Sequence, residues 1–260
     1  MKKLVSYLFI LAAFISCRDN NDPLKDGNDW DIVIPSSQHA PGIGNTDGPH
    51  QGTPWELPDG IELVRRPGKS FDPNPQMLYG SLNTFYADVS FVNHLDVSVS
   101  ILIPAGLIWV FNREGRTQDG LLTSTVKVDV PPTFSDEKSD TDTTTIYLGL
   151  GCLNYSKAFP WEENQEEDTR DYPIGKDMYK PGVVTSDPNL RKLLDLLKDY
   201  PGLGLTRHYN PQEMFEPDYK PESWREIYML IQGALWDITD NNGLTRKSYR
   251  ELSEALKSYR

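Results

Sequence analysis

The chain has 260 residues, enough for one large domain or two small ones. Its formal net charge of −12 argues against nucleic acid and against an anionic membrane surface as partners. No internal repeat, Gly-rich phosphate loop, HExxH or paired CxxC is present, so the common nucleotide and metalloprotease signatures are excluded.

Residues 1–17 read as an export signal. Lys2 and Lys3 form a basic start, and Leu4 to Ile15 form an apolar run too short to span comfortably as a mature helix. Ser16-Cys17 then resembles a lipoprotein processing site, with Phe14 where a leucine is usual, so Cys17 is the expected lipidated N-terminus. Arg18-Asp19-Asn20-Asn21-Asp22 resembles the acid-rich tether of surface-exported lipoproteins of the Bacteroides group, which implies an outer-membrane, surface-exposed protein. From 18 to 75 the composition is Asn, Asp, Gly, Pro and Ser, typical of a flexible tether. Short apolar islands at Trp30 to Ile34 and Ile61 to Val64 are expected to dock as edge strands. His39 and His50 lie in this stretch without neighbouring ligands and are assigned no metal role.

Strand signals begin near Met77. Thr84 to Val92, Val97 to Ile103 and Leu107 to Phe111 are short runs rich in β-branched and aromatic residues, separated by Asn93-His94 and Pro104-Ala105-Gly106. Gln118-Asp119-Gly120 supplies turn chemistry, and Thr125 to Val130 alternates cleanly. Thr143 to Leu150 is the next strand and delivers Cys152 at its end. The expected class is α+β, an antiparallel β-sandwich or barrel over 76–160 followed by a mainly helical part over 161–260.

The acidic run from Trp161 to Asp171 has no regular ligand spacing and reads as a solvated loop rather than a calcium site. Ser186-Asp187-Pro188 marks a helix start, with Leu190, Leu193, Leu194 and Leu197 as its buried stripe. The strongest helix lies between Lys220 and Asp240, where Trp224, Ile227, Tyr228, Ile231, Leu235 and Ile238 form one face. Gln232 sits at the border of that face, and an amide there needs a partner. Gly233, inside the helix, reads either as a point of close approach by a strand or as tolerated packing. A last helix from Thr245 to about Ser258 packs through Tyr249, Leu252 and Leu256.

With Cys17 committed to the anchor, Cys152 has no disulfide partner, and an unpaired thiol in an exported protein is either buried or chemically occupied. Gly151-Cys152-Leu153-Asn154 and Ile231-Gln232-Gly233-Ala234-Leu235-Trp236 together resemble the two motifs of the bacterial surface thioester domain. The glutamine motif matches throughout, whereas Gly151 stands where the family has an aromatic residue or leucine. The resemblance covers 152–236 and implies a Cys152–Gln232 thioester within a domain over 76–260, supported by Asn154, Tyr228 and Trp236. It implies an adhesin that captures a surface amine, such as a lysine of a host or neighbouring-cell protein, as a lasting amide. It needs no cofactor or metal, and it is not an enzyme in the turnover sense.

Two other classes remain open on the residues. One is a non-covalent glycan- or protein-binding surface lipoprotein with Cys152 simply buried. The other is a Cys-His enzyme with Cys152 as nucleophile and His208 as base, although Thr206-Arg207-His208-Tyr209 carries no recognisable motif. The anchor is directly testable: Cys17→Ser should release the protein from the membrane fraction, and unchanged partitioning would show another anchor.

Overall fold

The computed structural model describes residues 27–64, 78–112, 117–134, 143–158, 162–164, 169–171, 179–207, 218, 220 and 222–260. Cys17, Trp161 and His208, and the expectations placed on them, lie outside the described residues. In chain order the elements begin with β1 (Ile32–Pro35), β2 (Gly52–Pro54), β3 (Ile61–Val64), β4 (Leu78–Tyr79) and β5 (Phe85–Asn93). Next come β6 (Val99–Ile103), β7 (Leu107–Phe111), β8 (Gly120–Leu121), β9 (Val126–Val130) and β10 (Thr144–Cys152). The chain continues through β11 (Glu162–Asn164), β12 (Thr169–Asp171), β13 (Tyr179–Thr185) and α1 (Pro188–Leu197). It closes with α2 (Glu226–Thr239), β14 (Gly243–Thr245) and α3 (Arg246–Leu256).

The architecture is α+β. An eight-stranded sheet runs in the order β2-β13-β7-β8-β10-β5-β3, with β4 added parallel to β10 and the other pairs antiparallel. The ribbon β6–β9 is separate, as are β1–β14 and β11–β12. Strand period explains how the sheet sits between two cores. On β5, Phe85, Ala87, Val89 and Phe91 point to one face, where Ile101 and Ile103 of β6 and Val126, Val128 and Val130 of β9 cover them. Tyr86 points to the other face, where Leu193, Ile231, Leu235 and Leu252 of the three helices meet it. On β10, Ile146, Leu148, Leu150 and Cys152 join the ribbon-side core, while Tyr147 joins the helix-side core.

Two expectations need correction. Residues 27–64 are part of the fold and not tether: the two apolar islands dock as strands as expected, β1 on β14 and β3 on β5 at a sheet edge, while β2 pairs with β13 and Ile34 and Ile43 are buried among the helices. Composition misled because this stretch docks through its polar groups. Ser37 Oγ donates to Asp187 Oδ1 at 2.7 Å, and the Ser37 N–H donates to the Ile238 carbonyl at 2.7 Å. The second correction concerns 161–260, which is not mainly helical until Pro188. The segment before it contributes β11, β12 and β13, and β13 lies inside the main sheet between β2 and β7.

The helix boundaries follow local chemistry. Asp187 caps α1 by accepting from the Asn189 and Leu190 N–H groups at 3.0 and 2.8 Å, with Pro188 in the first turn. Thr245 caps α3 by accepting from Ser248 N–H. α2 begins after a 3-10 turn at Ser223–Arg225. Because Asp187 both caps α1 and receives Ser37, Asp187→Ala should lose roughly 1–2 kcal/mol in urea unfolding, whereas Asp187→Asn should retain most of the stability.

Candidate functional site

The site begins with a strand end that lacks a strand partner on one side. β10 pairs with β5 from Thr144↔Phe91 to Leu150↔Phe85, and the Thr84 N–H donates to the Leu150 carbonyl at 3.1 Å. Two residues on, the Cys152 N–H and C=O turn to that same side, because main-chain groups repeat with period two. Buried main-chain groups must be paired. Gln232 from α2 provides the pairing: its Oε1 accepts from the Cys152 N–H at 2.8 Å and its Nε2 donates to the Cys152 carbonyl at 3.0 Å. The carboxamide thus takes the place of the next peptide group of β5. Thr84 Oγ1 donates to the same Oε1 at 2.5 Å.

The structure therefore brings Cys152 and Gln232 together. Cys152 is fully buried and Gln232 is 5% exposed, deeper than the border position its helical face suggested. The carboxamide lies on the Cys152 main chain, while the side chain of Cys152 belongs to the ribbon-side core with Phe85, Leu150 and Tyr179. The Asn154 N–H donates to the sulfur at 3.4 Å. Burial pushes the Cys152 thiol up to about 12, and the indole N–H of Trp236 and the Asn154 N–H offset only part of that. The charges of Asp240 and Asp119 push in the same direction as burial. At neutral pH the thiol is therefore protonated and a poor nucleophile on its own account.

The other residues singled out by sequence take distinct roles. Asn154 is fully buried and holds the turn after Cys152: its Oδ1 accepts from Asp119 N–H at 2.9 Å, and its Nδ2 donates to the Gly42 and Gly44 carbonyls at 3.0 and 2.9 Å. Trp236, one turn past Gln232, is met edge-on by Tyr155 at 4.8 Å. Tyr228, one turn before it, donates to the Leu203 carbonyl at 3.2 Å and meets Trp224 edge-on at 6.0 Å. Of the aromatic residues near the pair in sequence, Tyr155 is largely exposed and does not seal the site.

A cleft of about 170 Å³ opens beside the carboxamide, lined by Asn83, Thr84, Tyr228, Met229, Gln232 and Trp236 together with Arg225. Met229 is half exposed at its rim. The sulfur is thus in the core while the carboxamide borders a cleft. Among the described residues, no group of three or more His, Cys, Asp or Glu side chains is placed to hold a metal ion.

Sequence reading did not identify Thr84, Gly151 or Asp119. Thr84 is simply the first residue of an apolar run. Asp119 stood in turn chemistry, yet its carboxylate is buried, meets His50 Nε2 at 3.1 Å and Lys157 Nζ at 3.6 Å, and accepts from Phe111 N–H at 3.0 Å. His50, read as tether, is one side of that cluster. Gly151 has little room for a larger residue: a Cβ there would stand 2.4 Å from Leu82 Cδ2 and 2.8 Å from Leu235 Cδ2. The close approach of strand and helix is therefore made at Gly151. Gly233 has nothing within 4 Å of a built Cβ, so packing does not require glycine there.

Comparison with known proteins gives no match to a protein-family model, a curated protein or a solved structure. The two glycines should respond in opposite directions in denaturant unfolding. Gly151→Ala should destabilise by about 1–3 kcal/mol through overpacking, and Gly233→Ala should stabilise by up to about 1 kcal/mol through helix propensity.

Proposed function

We propose that Cys152 and Gln232 condense to an internal thioester, and that the chain is a surface lipoprotein which captures a partner amine covalently through it. The observation that carries this reading is the carboxamide seated on Cys152 in a buried setting, with its carbonyl oxygen held by two donors and a cleft at its side. In condensation the sulfur bonds to the carboxamide carbon, the C–N bond breaks, and the amide nitrogen leaves as ammonia with the thiol proton. An amine of the partner, such as a lysine, later attacks the same carbon from the cleft. The C–S bond then breaks, the amine's proton returns to the sulfur, and a stable amide remains. Each protein acts once, so this is capture and not turnover.

Burial serves this chemistry because an exposed thioester hydrolyses. Cys152 is fully buried, and Trp236 packs against the core cluster that holds it. We further read Cys17 as a lipid anchor in the outer membrane, with the segment before residue 27 holding the domain outward. Among the described residues no helix is long and apolar enough to cross a membrane. The main sheet with the β6–β9 ribbon across one face fits a sandwich-like arrangement in this reading.

A second reading, a non-covalent binding module with Cys152 simply buried, is favoured by one observation. The carboxamide is hydrogen-bonded through both its oxygen and its nitrogen to the Cys152 main chain and through its oxygen to Thr84, as a purely structural amide would be. Its binding site would be the larger cleft of about 430 Å³ whose lining includes Ser81, Thr125, Lys127 and Tyr200. Intact mass separates the two readings. The native domain should be lighter than its sequence by one ammonia, Cys152→Ala and Gln232→Ala should each have the full calculated mass, and methylamine should add only to the native protein. A full-mass native domain with a titratable thiol would overturn the covalent reading.

A further inference from the structure

We propose that the Thr84 hydroxyl and the Cys152 main-chain N–H form an oxyanion hole for Gln232, which makes Thr84 a catalytic residue of both steps; this rests on the thioester reading above. When the sulfur attacks the carboxamide carbon, the C–S bond forms and the carbonyl π pair moves onto Oε1. The tetrahedral intermediate then carries its negative charge on that one atom. Two donors already converge there, Cys152 N–H at 2.8 Å and Thr84 Oγ1 at 2.5 Å. Both distances are to the ground-state oxygen; the Cys152 donor lies within the range of oxyanion-hole donors and Thr84 stands closer still, on the same atom that takes the charge.

The two donors come from the rigid part of the fold. Cys152 is held by pairing with Gly120 of β8, and the Thr84 main chain is tied to Leu150 at 3.1 Å. Cys152 is the last residue of β10 and Thr84 immediately precedes β5, the strand beside it, and a β-branched side chain has few rotamers to lose. No reorganisation is needed as charge develops, which is where this kind of stabilisation gains its strength. The third hydrogen bond, from Nε2 to the Cys152 carbonyl, leaves with ammonia, whereas the two to Oε1 remain. When an amine attacks the thioester, the charge returns to the same oxygen and meets the same donors. Thr84 also lines the cleft beside Gln232.

A purely structural hydroxyl would satisfy the Gln232 oxygen and do nothing to the rates. The experiment uses the folded, soluble domain and methylamine as the probe amine. Thr84→Val keeps the shape and removes the donor, Thr84→Ser keeps the donor, and Thr84→Ala is a second donorless variant should Val not fold. The rate of ammonia loss after refolding and the rate of methylamine addition are followed by intact mass, and thermal unfolding is followed alongside. We expect Thr84→Val and Thr84→Ala to slow methylamine addition by about 10²–10³-fold, with Thr84→Ser near the native rate. Native-like rates in a folded donorless variant would overturn the role of Thr84 while leaving the thioester intact. A native protein that never loses ammonia would overturn the thioester reading itself, and the inference with it.

Discussion

A central strand ends at Cys152 with its N–H and C=O turned toward a place where no strand of the described residues runs, and the side chain of Gln232 fills that place. Leaving one such buried group unpaired costs about 1–3 kcal/mol, so the pairing is a strong constraint on where α2 sits. It sets the height of the helix along the sheet and the face it presents. Ile231 and Leu235, the neighbours of Gln232 on that face, are carried into the helix-side core, and Trp236 is carried to the sulfur. The approach this requires is possible because Gly151 presents no side chain to Leu82 and Leu235.

The turn after Cys152 is held as firmly as the strand before it. Asn154 links Asp119 on one side to Gly42 and Gly44 on the other, and the Gly44 N–H donates to the Leu153 carbonyl at 3.1 Å. Asp119 in turn gathers His50 and Lys157 around a buried carboxylate. Buried polar and ionic contacts of this kind are a weak source of net stability because desolvation offsets their attraction. Their effect here is positional: they fasten a loop of the N-terminal segment against the sheet, close to the end of β10. The segment 27–64 is therefore part of the wall behind the cysteine.

Much of the fold was legible in the sequence because local rules dominate there. The β-branched runs became β5, β6, β7, β9 and β10 with ends within a few residues of the expected ones. Asp187-Pro188 started a helix because a capping carboxylate and a proline both suit the first turn. The lone cysteine and a glutamine on the strongest helix stood out because each residue is anomalous for its surroundings. The tether was misread because Gly, Pro, Ser and Asn at 37–50 make a low-hydrophobicity stretch that docks by hydrogen bonds to distant residues and by the buried apolar side chain of Ile43. β13 was missed for a similar reason, since Tyr179 to Thr185 contains Pro181 and Gly182 and lacks a clean alternation.

By itself, then, the sequence determined the α+β class, the Asp187 cap, and the two residues that deserved to be compared. Periodicity and capping act over a few neighbours, so they can be read from a single stretch. Tertiary structure decided the rest. It chose main-chain pairing as the form of contact between Gln232 and Cys152, added Thr84 to the same oxygen, and placed the close approach at Gly151 and not at Gly233. It also drew His50 and Asp119, 69 positions apart, into one buried cluster. Those outcomes depend on which strand ends meet which helix across the sheet, a matter of long-range register that no local pattern encodes.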